Sequence, residues 1–152
     1  MGLKETLQSD LTEAIRSRDE IKSGTIRMVL TAITNEEVSG KEARTLSDAE
    51  IITVLSREGK KRREAAEAFA EGGRADRAEQ EKKEGEIIAT YLPAQLSEDE
   101  VKKIIADAIA QSGASGPQGM GQVMKLVTPQ TAGKADGGLV SGLVKAALTG
   151  GN

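Results

Sequence analysis

The 152-residue sequence has no cysteine, no histidine and no tryptophan, and only one phenylalanine, Phe69, and one tyrosine, Tyr91. Each absence removes a class of function. Without cysteine there is no disulfide, and no thiolate to act as nucleophile or metal ligand. Without histidine, Ser-His-Asp and Cys-His catalysis are excluded, as are imidazole metal sites. A metal site would need carboxylates alone, and no cofactor is implied. Two aromatics cannot build a base-stacking platform. No apolar run approaches the roughly 20 residues of a membrane span. Residues Met1–Thr6 lack the apolar stretch of a signal peptide. The expectation is a cytoplasmic protein with no membrane partner.

What is present is charge: 30% of residues are charged and the net charge is −3. Overall balance gives no pull toward nucleic acid, so any binding field must come from a local patch. Residues 1–92 carry 19 acids and 16 bases, and residues 93–152 carry five of each. The composition changes near Pro93. Pro93 lacks an amide hydrogen and disfavours helical angles at Leu92, so a helix should stop there. Ser97 with Glu100 three residues on is a capping box that starts another. This short joint divides the chain into an N-terminal helical domain, residues 1–92, and a C-terminal three-helix domain, residues 97–150.

The helical reading comes from periodicity. Leu3, Leu7, Leu11 and Ile15 recur every fourth residue as one apolar stripe, ending near Ser17-Arg18-Asp19. A second helix spans Ile21 to Val38, with Ile26, Met28, Val29, Leu30, Ile33 and Val38 as its apolar set. Ser39-Gly40 should stop it in the left-handed manner of glycine. Ser47 to Glu50 is a capping box that opens a third helix running to Gly72-Gly73, with Gly59 in its middle as a point of close helix approach. The fourth runs from Arg74 to Leu92; its first half is almost wholly polar. The third and fourth helices read as a long hairpin whose far end projects beyond the core. Past the joint come a fifth helix ending at Ser112-Gly113, a short sixth closed by Pro129, and a seventh capped by Asp136 and fraying over residues 150–152. No alternation is sustained, so no strand is expected. The fold class is all-α: four helices, a proline hinge and a three-helix bundle.

Arg57, Lys60, Lys61, Arg62 and Arg63 place five bases within seven residues. Arg57, Lys60 and Lys61 share one helical face, with Arg63 adjacent. They read either as phosphate-backbone contacts, which carry affinity without sequence information, or as a solvated face paired with Glu58, Glu64 and Glu67. Gly133-Lys134-Ala135-Asp136-Gly137-Gly138 reads either as a loop holding an anion at a helix start or as a plain turn with Asp136 as N-cap. It lacks the Walker spacing. The acid groups Glu36-Glu37, Glu79-Glu81-Glu84 and Glu98-Asp99-Glu100 sit in solvated stretches. A carboxylate pair does acid–base work only where burial splits its pKa values, so no catalytic residue is assigned. Met120, Val123, Met124 and Val127 read as core of a small helical unit.

The joint Tyr91-Leu92-Pro93-Ala94-Gln95-Leu96-Ser97-Glu98-Asp99-Glu100 resembles that of the GatB/YqeY family. So do Met120-Gly121-Gln122-Val123-Met124-Lys125 and Gly133-Lys134-Ala135-Asp136-Gly137-Gly138-Leu139-Val140. Arg27-Met28-Val29-Leu30-Thr31-Ala32-Ile33 is similar to the stand-alone YqeY-like proteins. The resemblance implies kinship with the tail of the B subunit of glutamine-dependent aminoacyl-tRNA amidotransferase, which holds the tRNA body while chemistry happens elsewhere. It makes Lys125, Lys134, Asp136 and Gly137 the matched RNA-facing residues, with Lys145 extending the patch. Between Pro129 and Gly133, where relatives often carry a lysine, this chain has Gln130-Thr131-Ala132.

Three functions follow as expectations. One is a tRNA-associated, non-catalytic helical module of translation, with Arg57, Lys60, Lys61 and Arg63 as a second patch. Another is the carbon–nitrogen ligase activity with glutamine as amido-N-donor that the resemblance implies. The sequence speaks against autonomous ligase activity, because it has neither a cysteine nucleophile nor a nucleotide loop. The third is an adaptor for a translation-related protein partner through the polar hairpin.

Overall fold

Two serines start two helices in the same way. The Ser47 hydroxyl accepts from the Glu50 amide at 3.2 Å, and the Glu50 carboxylate accepts from the Ser47 amide at 3.1 Å. Ser97 and Glu100 repeat the exchange at 3.1 and 3.2 Å. Each exchange satisfies two amides, one of them among those that a helix start leaves without a partner. The computed structural model describes residues 2–150, and among them there are only helices, turns and loops. The helices are α1 (Leu3–Arg16), α2 (Glu20–Glu37), α3 (Asp48–Glu71), α4 (Ala75–Ala89), α5 (Glu98–Ser112), α6 (Met120–Thr131) and α7 (Gly137–Thr149), with a 3-10 turn at Pro117–Gly119. They gather into two compact units, Met1–Leu92 and Pro93–Asn152.

In the first unit α1 to α4 close on Leu7, Ile26, Val29, Ile33, Leu46, Ile51, Val54, Leu55 and Ile88. The expected α1 stripe is only partly used. Leu7 is fully buried and Leu3 and Leu11 pack against the core, but Ile15 is 49% exposed. A four-residue repeat drifts about 40° per step around a helix of 3.6 residues per turn, so by Ile15 the stripe has rotated away. Ala14, seven residues after Leu7, is buried instead. Val38 is also exposed, because α2 ends before it.

The terminators differ from expectation in two places. Gly40 does not adopt a left-handed conformation. The end of α2 is closed by the Val38 amide on Thr34 O at 3.2 Å and the Ser39 hydroxyl on Glu36 O at 2.9 Å. After α1, the left-handed position falls on Arg18, at φ 61°. Its amide bonds to Ile15 O at 3.1 Å and that of Asp19 to Ala14 O at 2.9 Å, the double closure of a Schellman motif. Gly73, at φ 77°, makes the same closure after α3 with the natural residue for it.

The polar half of α4 does not stand free on all sides. Ala78 and Glu81 are buried, along with Ala66 and Glu58 of α3. Arg62 of α3 reaches Glu81 at 3.1 Å and Glu84 at 3.6 Å. Arg77 lies over the Phe69 ring at 5.2 Å, within range of a cation–π contact. The expectation that Glu79, Glu81 and Glu84 are all solvated is therefore overturned for the last two. Burial raises the Glu81 pKa, opposed by the Arg62 charge. Gly59 faces α4: a Cβ there would stand 3.6 Å from Ile88 Cγ2, an ordinary contact. At the end of α4, the Tyr91 hydroxyl donates to Asp10 of α1 at 2.5 Å.

In the second unit α5, α6 and α7 close on Val101, Ile105, Ala108, Val123, Val127, Val140 and Val144, with Met120 and Met124 packed against them. Gly113 ends α5 in the left-handed region, at φ 69°. Pro129 does not close α6, which continues to Thr131. Proline removes the bond its own amide would make and disturbs the preceding turn. Side chains reinforce that turn: Gln130 Nε2 donates to Leu126 O at 3.0 Å and the buried Thr131 hydroxyl to Val127 O at 3.2 Å. Gly150 caps α7 at φ 73°; Gly151 and Asn152, where fraying was expected, lie outside the described residues.

Candidate nucleic-acid interface

The loop between α6 and α7 is built from inside the second unit. Thr131 O accepts both the Lys134 amide, at 2.8 Å, and the Ala135 amide, at 3.1 Å. Gly133 sits at φ 74°, a conformation only glycine takes without strain. Asp136 caps α7, accepting from the Leu139 amide at 3.1 Å, so the N-cap reading of this residue holds. Two carbonyls of the loop then receive donors from the segment after Pro93. Gln95 Nε2 donates to Gly133 O at 2.9 Å and to Pro93 O at 2.8 Å, and the Leu96 amide donates to Lys134 O at 2.8 Å.

The Lys134 main chain is thus held on both sides while its side chain is exposed and, among the described residues, has no ion pair. Lys125 on α6 and Lys145 on α7 are likewise exposed, as is Gly137 at the start of α7. Lys125 lies six residues before the end of α6 and Lys145 nine after Asp136. At 1.5 Å per residue these are separations of about 9 and 13 Å along the helices. The loop offers one fixed cation, and its helices offer two more farther from it.

The basic run of α3 is divided by the fold. Arg57 pairs with Glu36 of α2 at 3.5 Å and Lys61 with Glu58 at 3.6 Å. Arg62 turns into the seam with α4. Lys60 and Arg63 are exposed. In the Arg57 and Lys61 pairs the cation is exposed, and the acid competes with a phosphate for it. Glu36 as a partner was not legible in the sequence, since it lies on another helix. Gln95 was also missed as a functional residue: it appears in the joint motif, but its partner Gly133 is 38 residues away.

A family model described as Yqey-like protein matches residues 4–148. The chain belongs to the YqeY-like family. Relatives include altered inheritance of mitochondria protein 41 from Candida glabrata, 31% identical over 97 residues, which are 62% of this chain and 53% of that protein. The protein of the same name from Clavispora lusitaniae is 35% identical over 105 residues, 67% of this chain and 59% of that one. The Kluyveromyces lactis protein is 27% identical over 143 residues, 92% of this chain and 72% of that one. This YqeY-like chain spans between half and three fifths of the first two relatives. Their names place those proteins in mitochondria, so the cytoplasmic expectation draws no support from them. Among the described residues no helix is long and apolar enough to cross a membrane.

Proposed function

We propose that this YqeY-like chain is a tRNA-associated accessory module that contacts the phosphate backbone through the α6–α7 loop. The observation that carries the reading is the pinned Lys134: its carbonyl and amide are fixed by Leu96 and Thr131, and its ammonium is left to solvent. A cation on a fixed main chain loses less freedom on binding than one on a mobile loop. Lys125 and Lys145 extend the contact, and Gly137 lets a phosphate approach the start of α7. Asp136 is used by the cap and sets the loop. Arg63 adds a cation from α3, and Arg57, Lys60 and Lys61 do so on leaving the partners they hold in the fold.

In this reading the chain holds RNA, and bond-making belongs to a translation-related partner. Five acids match five bases in residues 93–152, so the contact is local and strongly screened by salt. Binding of fluorescein-labelled total tRNA, followed by anisotropy over a salt series, tests it. Each lysine that meets a phosphate adds roughly 0.7–0.9 to the magnitude of the log–log slope. Lys125, Lys134 and Lys145 together give an expected slope of about two to three, falling by about one in Lys134→Ala. Absence of binding at low salt, or a slope unchanged by Lys134→Ala, rules the reading out.

A further inference from the structure

The first unit carries a groove of a different character, between the first turn of α2 and the outer face of α4. Two adjoining clefts of about 450 and 340 Å³ share Ile21 and Lys83 in their walls. Its apolar strip is Ile21, 39% exposed, and Ile87. Gly24 widens it, with nothing within 4 Å of where a Cβ would stand. Around this strip stand Asp19, Glu20, Asp76, Glu79, Glu84 and Glu86, with Lys83 as the cation in the walls among the described residues. Arg74 pairs with Asp76 and Arg62 with Glu84, and Asp19 caps α2. Glu20, Glu79 and Glu86 have no ion pair among the described residues.

We propose that this groove docks a basic, amphipathic helical segment of a protein partner. An isoleucine left open at a helix start, between rows of unneutralised carboxylates, is complementary to an apolar side chain flanked by Lys or Arg. Phosphate is repelled by the same carboxylates, so the occupant is a protein segment and not RNA. From Asp76 on α4 to its C-cap Thr90 is about 21 Å at 1.5 Å per residue, which matches three to four turns of a bound helix. Nothing in this inference depends on the reading of Lys134, which lies on the other unit.

The test uses the full chain and a fluorescein-labelled helical peptide of about 14 residues, with leucines at i and i+4 and lysines on either side. A twin with glutamates for lysines serves as control. The lysine peptide binds at low salt and the glutamate peptide does not. Binding weakens by roughly tenfold or more in Glu79→Lys/Glu86→Lys and in Ile21→Asp, while the folded helical content is unchanged by circular dichroism. Glu42→Lys/Glu71→Lys, the same charge change at exposed positions that do not line the groove, binds the peptide nearly as the unmodified chain does. Equal weakening by both double variants overturns the proposal, because attraction is then to net charge alone. So does self-association of the chain that Glu79→Lys/Glu86→Lys abolishes, since the occupant is then a second copy.

Discussion

The amide of Leu96 donates to the carbonyl of Lys134 at 2.8 Å. With the Gln95 side chain on Gly133 O at 2.9 Å, this bond ties the start of the second unit to the loop that displays the candidate cation. Two stretches that stand apart in sequence are one structural object. Gln95→Ala removes one donor from an exposed pair of carbonyls, so it costs about 0.5–1.5 kcal/mol in a denaturant titration. Lys134→Ala, with its exposed side chain, changes stability by no more than about 0.5 kcal/mol. A larger loss from Lys134→Ala contradicts the separation of scaffold from display.

Gly59 and Gly119 give opposite outcomes for the same substitution. Gly119→Ala places a Cβ 2.8 Å from Ala114 Cβ, so the α5–α6 loop must shift, at a cost of about 1–3 kcal/mol. Gly59→Ala places its Cβ 3.6 Å from Ile88 Cγ2, and alanine suits a helix interior better than glycine. It stabilises by about 0.5–1 kcal/mol. Thermal melts of the two variants check the pair.

Arg18 holds a position made for glycine. Its φ of 61° costs an L-residue roughly 1–2 kcal/mol. Arg18→Gly relieves that cost and loosens the unfolded chain, for a net gain of up to about 1 kcal/mol. A destabilised Arg18→Gly shows that the arginine side chain contributes a contact beyond its main chain.

Glu81 makes stability depend on pH. Burial, only partly offset by Arg62, raises its folded-state pKa above the ordinary carboxylate value. A raised acid binds its proton more tightly in the fold, so its contribution is fully present below the unfolded pKa and is lost as pH rises through the folded one. Glu81→Gln therefore gains on the unmodified chain between acid and neutral pH. Paired melts at the two ends of that range measure the sign. The Tyr91 hydroxyl titrates above its usual range, through burial and its bond to Asp10, and Tyr91→Phe costs about 1–2 kcal/mol.

What could be read in the sequence was what short-range chemistry decides. Ser47 with Glu50, and Ser97 with Glu100, announce helix starts because cap and partner are three residues apart. Asp136 and Gly113 are legible for the same reason. Pro129 misled, because the following Gln130 and Thr131 side chains reinforce the turn it disturbs. Ile15 misled because a four-residue stripe rotates off a face it starts on. Glu81 looked solvated, since its burial depends on Arg62, on the neighbouring helix. The charges of Arg57 and Lys134 were visible, but their difference was not: one is met by Glu36 from another helix and the other, among the described residues, by no acid.

Charge reversal at Lys134 tests the central claim most directly. Anisotropy of labelled tRNA at low salt is compared for the unmodified chain and Lys134→Glu, with stability checked by denaturant. Placing a carboxylate where a phosphate contact stood weakens binding by roughly tenfold or more, with the fold intact. Equal affinities for the two proteins contradict the account, because the loop then displays a lysine that RNA does not touch.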